Sequence, residues 1–159
     1  RSSDGEPVSD RRNVTQTLLV CTAGGTRLAV PIALVARLEE FDPTIVERAG
    51  DHNVIQYRGG LLTLVSMRRY LDPRQPCGYA DVDGLLQVLV HVRGERTFGL
   101  VVDDIEDIVE ADVESTQMPV GDNGRFAAVV GRRVTDLINL DLVLASADVL
   151  TGERTGAAR

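Results

Sequence analysis

The chain has 159 residues, 24 acidic against 17 basic, for a net charge of −7. That length buries roughly 68–70% of the unfolded surface and so forms a core without staples, in one ordinary domain or two small ones. The acidic balance excludes a phosphate-backbone binder and argues against an anionic membrane surface, no apolar run nears the ~18 residues of a span, and no signal peptide is visible.

Residues 1–13 are polar, charged and aperiodic and read as a disordered lead-in or linker. They open on Arg1 rather than Met, which suggests a piece of a longer protein. From there to about residue 150, short runs of Val, Leu and Ile punctuated by Gly indicate strands, and with aromatics at 4% the core is aliphatic. Thr17–Thr22 is one strand, turning at Ala23-Gly24-Gly25-Thr26 into a second over Arg27–Leu38, where Leu28, Val30, Ile32 and Leu34 alternate. Val54–Arg58 and Leu61–Ser66 follow around a Gly59-Gly60 turn, then a short helix over Met67–Leu71. The Pro- and Gly-rich stretch from Leu71 to Gly84 reads as the connection between two subdomains, split near 72–84, that exchange or share material across the middle. Leu85–Val92 and Thr97–Val109 are the next strands, the latter broken or bulged near Asp103-Asp104. Phe126–Val130 and Val134–Leu140 meet at Gly131-Arg132-Arg133, Leu142–Ser146 is a second short helix, and 151–159 is a loose tail.

An internal repeat organises these elements. Leu18–Val30 and Val88–Leu100 both read strand, glycine turn, strand, and Ile32, Val35 and Leu38 then match Val102, Ile105 and Ile108. A second hairpin follows in each half, around Arg58-Gly59-Gly60 and around Gly131-Arg132-Arg133. A unit of roughly 70 residues is too long for a solenoid or propeller blade and suits a small closed barrel, which removes exposed strand edges. The three-residue step at Val35, Leu38, Ile105 and Ile108 implies a bend, beyond which some of these side chains leave the core and form exposed apolar patches suited to head-to-tail contacts.

Catalytic and metal chemistry find little support. A nucleophile needs a base beside it. The two histidines are His91, on an outer strand face by its alternation, and His52, in the polar turn Gly50-Asp51-His52-Asn53. Cys21 sits in a strand and Cys77 in the Pro73–Gly84 loop, with neither a disulfide framework nor metal-ligand spacing, as in a reducing cytoplasm. The acidic run 103–112 is the alternative from another class, a hydrolytic or cation-binding site. Ile108 stands where an EF-hand loop needs glycine, and adjacent strand acids point to opposite faces, so the run reads instead as a solvated face. The glycine pairs lack the Lys-Ser/Thr of a phosphate loop. No catalytic residue, cofactor or metal ligand is assigned.

The segments Leu28–Leu38, Tyr57–Val65, Phe98–Ile105 and Val129–Leu140, in that order, resemble the CheW-like domains. The resemblance spans about Asn13 to Asp148, and the domain is placed at 14–150. It implies an all-β fold of two SH3-like five-stranded barrels related by a pseudo-twofold duplication, with short helices. It also implies a non-catalytic adaptor coupling chemoreceptor cytoplasmic tips to a CheA-type histidine kinase, in the cytoplasm and recruited to membrane receptor arrays. Other CheW-like domains, of CheW or CheA, are implied partners, without nucleic acid or direct membrane binding. Arg58-Gly59-x-Leu61-Leu62 is most similar to the regulatory domain of CheA, whose usual Pro is Thr63 here; the stand-alone coupling protein CheW is the alternative. In this family the Arg of the Arg-Gly pair touches the receptor, so the expected partner-binding residues are Arg58 and Gly59, with Val35, Leu38, Ile105 and Ile108 from the duplication.

Overall fold

Alternation along the first hairpin sends successive side chains into two different cores. The computed structural model describes residues 15–76, 78–121 and 124–148. The lead-in 1–13, Cys77 and the tail 151–159 lie outside the described residues. In β1 (Gln16–Ala23) and β2 (Thr26–Pro31), Leu18, Val20 and Ala29 enter one cluster, while Leu19, Cys21, Leu28 and Val30 enter another. Both strand faces are therefore buried, which explains runs that are apolar throughout. The same division recurs in β7 (Leu86–Arg93) and β8 (Arg96–Val102): Val88, Val90 and Val101 face a third cluster, and Leu89, Phe98 and Leu100 join the one shared with β1 and β2.

The remaining strands are β3 (Arg37–Phe41), β4 (Glu47–Ala49), β5 (His52–Tyr57), β6 (Gly60–Ser66), β9 (Asp104–Ala111), β10 (Met118–Val120), β11 (Arg125–Val130) and β12 (Arg133–Leu137). Two helices complete the described elements, α1 (Met67–Leu71) and α2 (Leu140–Ser146), with one-turn 3₁₀ segments at Ile32–Leu34 and Pro43–Ile45. One sheet runs β10-β11-β12-β2-β1-β9 and the other β4-β5-β6-β8-β7-β3. Exchanging β1–β6 with β7–β12 converts each order into the other. The register agrees: Asp136 lies opposite Leu28 in the parallel pair β12–β2, and Thr63 opposite Phe98 in β6–β8. The fold is mostly β and duplicated, as expected.

Each sheet draws strands from both halves of the chain. The crossings are at 32–36, between β2 and β3, and at Asp103, between β8 and β9. The 71–84 stretch instead joins β6 to β7 within one sheet, so it separates the repeats in sequence but is not the link between the sheets. The strand expected over Arg27–Leu38 stops at Pro31, which has no N–H for the ladder, and resumes as β3 after the 3₁₀ turn. Val134–Leu140 likewise ends at Leu137, because Asn139 caps α2 by accepting from the N–H groups of Asp141 and Leu142. Glu39 and Glu40 in β3, the three-residue β4, and Pro119 in β10 hide those strands from a pattern search.

The ladders hold six strands each rather than five, and among the described residues side chains complete their closure. In the sheet ending at β3, Tyr57 of β5 donates its hydroxyl to Glu39 (2.6 Å), accepts from Arg37 Nε (3.0 Å) and packs edge-on against Phe41. In the other, Arg27 of β2 donates to the Val130 carbonyl and Thr135 Oγ1 and pairs with Glu106 of β9 at 3.2 Å. The largest cluster lies between the two sheets and takes in Met67 of α1 and Leu140, Val143 and Leu144 of α2.

Candidate protein-binding surfaces

The β5–β6 hairpin turns on Arg58 and Gly59, not on Gly59-Gly60, and both have positive φ, 52° and 81°. A two-residue turn with left-handed backbone at both positions matches the twist of its strands. Glycine adopts that backbone freely, whereas an arginine there carries roughly 1–3 kcal/mol of strain. Arg58 is exposed, with its guanidinium carbon 5.4 Å from the Tyr57 ring centroid, and Tyr57 is in turn fixed by Glu39, Arg37 and Phe41. Arg58 lines a cleft of about 660 Å³ with Arg48, Gln56 and Leu61. Glu47 in the same cleft accepts from Gln56 Nε2 at 2.8 Å, and the cleft's other charged residues are the two arginines, Arg48 and Arg58. Such a surface suits a carboxylate-bearing partner.

The bend residues divide in the way their repeat positions suggest. Leu38 on β3 and Ile108 on β9 are exposed, while Val35 and Ile105 pack against the core between the sheets. Leu38 lies on β3, the strand whose Arg37 and Glu39 hold Tyr57 beside Arg58, and Ile108 lies on β9 at the edge of the other sheet.

Three of the six acids in the run 103–112 are engaged in structure. Asp103 accepts from the Gly24 N–H at 2.8 Å and from Arg68 Nε at 2.9 Å, tying the β1–β2 turn to α1 at the crossing. Glu106 holds Arg27, and Asp107 accepts from the following N–H of Ile108. Among the described residues no group of three or more His, Cys, Asp or Glu side chains converges as a metal site. The hydrolytic or cation-binding alternative is not favoured.

His91 is not on an outer face. It is buried, and its Nδ1 lies 2.8 Å from the Leu34 carbonyl, so that nitrogen carries the proton and pins the first crossing to β7. His52 is the first residue of β5, and the turn before it is Gly50-Asp51. Burial, with the charges of Glu106 and Asp103 adding to it, pushes the Cys21 thiol up to about 12, so it is no nucleophile. Sequence reasoning missed the Tyr57 and Arg27 clamps. Their only signal was a Tyr preceding Arg58 and an Arg inside an apolar hairpin, and neither has a periodicity.

No helix among the described residues is long and apolar enough to cross a membrane. A search of curated proteins finds no match to this sequence. Among solved structures, the fold is similar to the scaffolding protein TtCheW from Thermoanaerobacter tengcongensis, with a TM-score of 0.60 and 14% identity over 80% of this chain and 86% of that one. The model of the CheW-like domain matches residues 17–147, nearly all of the described chain, and the protein therefore belongs to the CheW-like domain family.

Proposed function

We propose that the chain is a non-catalytic adaptor that couples chemoreceptor cytoplasmic tips to a CheA-type histidine kinase through protein–protein contacts, at cytoplasmic receptor arrays. The family match over residues 17–147 carries this reading. The chemistry-bearing side chains support it: the acids at 103 and 106 and the histidine at 91 serve internal contacts, while Arg58 is exposed beside a cleft. Arg58 and Gly59 form the receptor contact, and the Leu38 and Ile108 edges, backed by Val35 and Ile105, meet other CheW-like domains.

Within that role, the chain is the regulatory domain of the kinase, supported by Arg58-Gly59-Gly60-Leu61-Leu62. The likeness to a stand-alone scaffolding protein favours the free coupling protein as the second reading. A receptor cytoplasmic fragment mixed with the purified chain tests the shared claim. Co-sedimentation with the wild type supports it, and no binding under conditions where an authentic CheW binds removes it.

A further inference from the structure

Residues 79–86 lie where β6 and β8 end and β7 begins, since Ser66 is opposite Val101 and Gln87 opposite Val102. This stretch joins the two repeats, so the duplication supplies no counterpart for it between them. Tyr79 anchors it, buried with Leu64, Leu86 and Val101 in the core of that barrel. Around the anchor opens a cleft of about 670 Å³, with Tyr79, Leu86 and Val101 as its buried apolar floor. Val82 and Leu85 line the same cleft and are 40% and 52% exposed. Exposed aliphatic side chains that share a cleft with a buried apolar floor offer area for a partner to cover.

The charge of the cleft selects the partner. Asp81, Asp83 and Asp104 line it, are exposed and make no ion pair among the described residues. Asp103 lines it too but accepts from the Gly24 N–H and from Arg68 Nε, so Arg68, the one cation in the described lining, is already paired. In the first repeat Ala33 and Leu34 stand where Asp103 and Asp104 stand in the second, so the carboxylates at this crossing are not required by the fold. The Arg58 cleft, of nearly the same volume, instead carries two arginines beside a glutamate that is already hydrogen-bonded. The molecule thus holds two clefts of opposite charge, and a segment suited to one is disfavoured at the other.

We propose that the Tyr79 cleft binds a segment of a partner protein that presents Lys or Arg beside an aliphatic residue. The aliphatic side chain covers Val82, Leu85 and the floor, and the cations meet Asp81, Asp83 and Asp104. This goes beyond the adaptor reading and does not rest on it: loss of receptor binding at Arg58 would leave it standing.

Fluorescence anisotropy with the full chain and a labelled peptide of sequence Gly-Arg-Leu-Arg-Leu-Gly tests the proposal. The wild type binds it saturably, and added salt weakens the binding. Replacing both leucines of the peptide by serine, or both arginines by glutamate, weakens it by about tenfold or more. D81N/D83N weakens binding of the original peptide by about tenfold, and Leu85→Ser by about fivefold. E95Q/E114Q, which removes the same charge from exposed acids outside the cleft, leaves it within about twofold of the wild type. Circular dichroism shows each variant folded, as the exposure of all five side chains requires. No saturable binding below about 1 mM overturns the proposal. So does equal binding of the serine peptide, or an equal loss in D81N/D83N and E95Q/E114Q, either of which would mean attraction to net charge alone.

Discussion

Leu38 and Ile108 occupy the same position twice: Leu38 lies opposite Leu89 across β3–β7, and Ile108 opposite Leu19 across β9–β1. Leu19 and Leu89 are themselves equivalent in the repeat and are buried in the core between the sheets. Their partners across the strands are instead 46% and 55% exposed. Leu38→Asp and Ile108→Asp should therefore leave the fold intact, costing up to ~1 kcal/mol in strand preference, while abolishing capture of a partner CheW-like domain. Ile105→Asp, which places a charge against the inter-sheet core, should instead lower the melting temperature markedly. Circular dichroism melts with a pull-down on each variant check this. Unfolding of both exposed-site variants, or full binding by both, removes the assignment.

Arg58 and Gly59 share a turn but predict opposite readouts. Arg58→Glu removes an exposed charge and its contact with the Tyr57 ring, so stability should change by about 0.5 kcal/mol or less. Binding to a receptor fragment should weaken by ~2–5 kcal/mol, if the charge is paired at the interface. Gly59→Ala places a Cβ at φ 81° and should cost roughly 1–2 kcal/mol of stability, with the binding surface otherwise preserved. Titration calorimetry and urea midpoints separate the two. Wild-type affinity in the charge-reversed protein would contradict the contact.

The parts of this fold legible in the sequence were those written in period two. The strands β1, β7 and β8 and the helix at Met67–Leu71 follow their patterns closely, and the break at Asp103-Asp104 falls where β8 gives way to β9. The exchange of chain between the two barrels is expected from the duplication, but the place of the crossing is not legible. Nothing local distinguishes a chain that stays in its sheet at 71–84 from one that crosses at 32–36, since both are turns, and pairing partners are set by the inter-sheet core. His91 was misplaced for a related reason. Its strand is buried on both faces, so alternation does not assign an outside, and the Leu34 carbonyl that accommodates the ring is 57 residues away in the chain. At the candidate site, Arg58 was visible beside its glycine, but the Tyr57 contacts that present it depend on β3, a strand whose glutamates conceal it.

Cys21 predicts a pH dependence. Its thiol rises from an ordinary value of 9.0 to about 12 in the folded chain, mainly through burial. Below the ordinary value the thiol is neutral in both states, and the folded state keeps its full advantage. As pH rises between the two values, the unfolded chain releases the proton while the folded chain retains it, so stability falls. Urea midpoints measured just below pH 9.0 and about one unit above should drop more for the wild type than for Cys21→Ala. Equal drops would show that other groups account for the alkaline loss. In a Cys77→Ser background, the native chain should also resist alkylation at neutral pH and react only on unfolding.

Gly99 tests the packing that the duplication requires. It lies in β8 between Phe98 and Leu100, opposite Val90, in a strand buried on both faces. A Cβ at this position would lie 2.7 Å from Val88 Cγ1 and 3.2 Å from the Leu62 and Leu64 Cδ2 atoms. The leucine methyls can rotate away. The valine cannot readily do so, because a β-branched side chain has few χ1 alternatives. Its repeat equivalent on β2, Ala29, carries the methyl that Gly99 lacks, so the requirement arises from the arrangement of the side chains around Gly99 rather than from the backbone. Gly99→Ala should destabilise the domain by about 1–3 kcal/mol through overpacking. Adding Val88→Ala, which removes the clashing methyl, should recover part of that loss even though Val88→Ala alone is destabilising. A double-mutant cycle on denaturant midpoints gives the coupling. Strict additivity of the two losses would mean that the added methyl is accommodated elsewhere, and that the contact between Val88 and β8 does not set the spacing of this sheet.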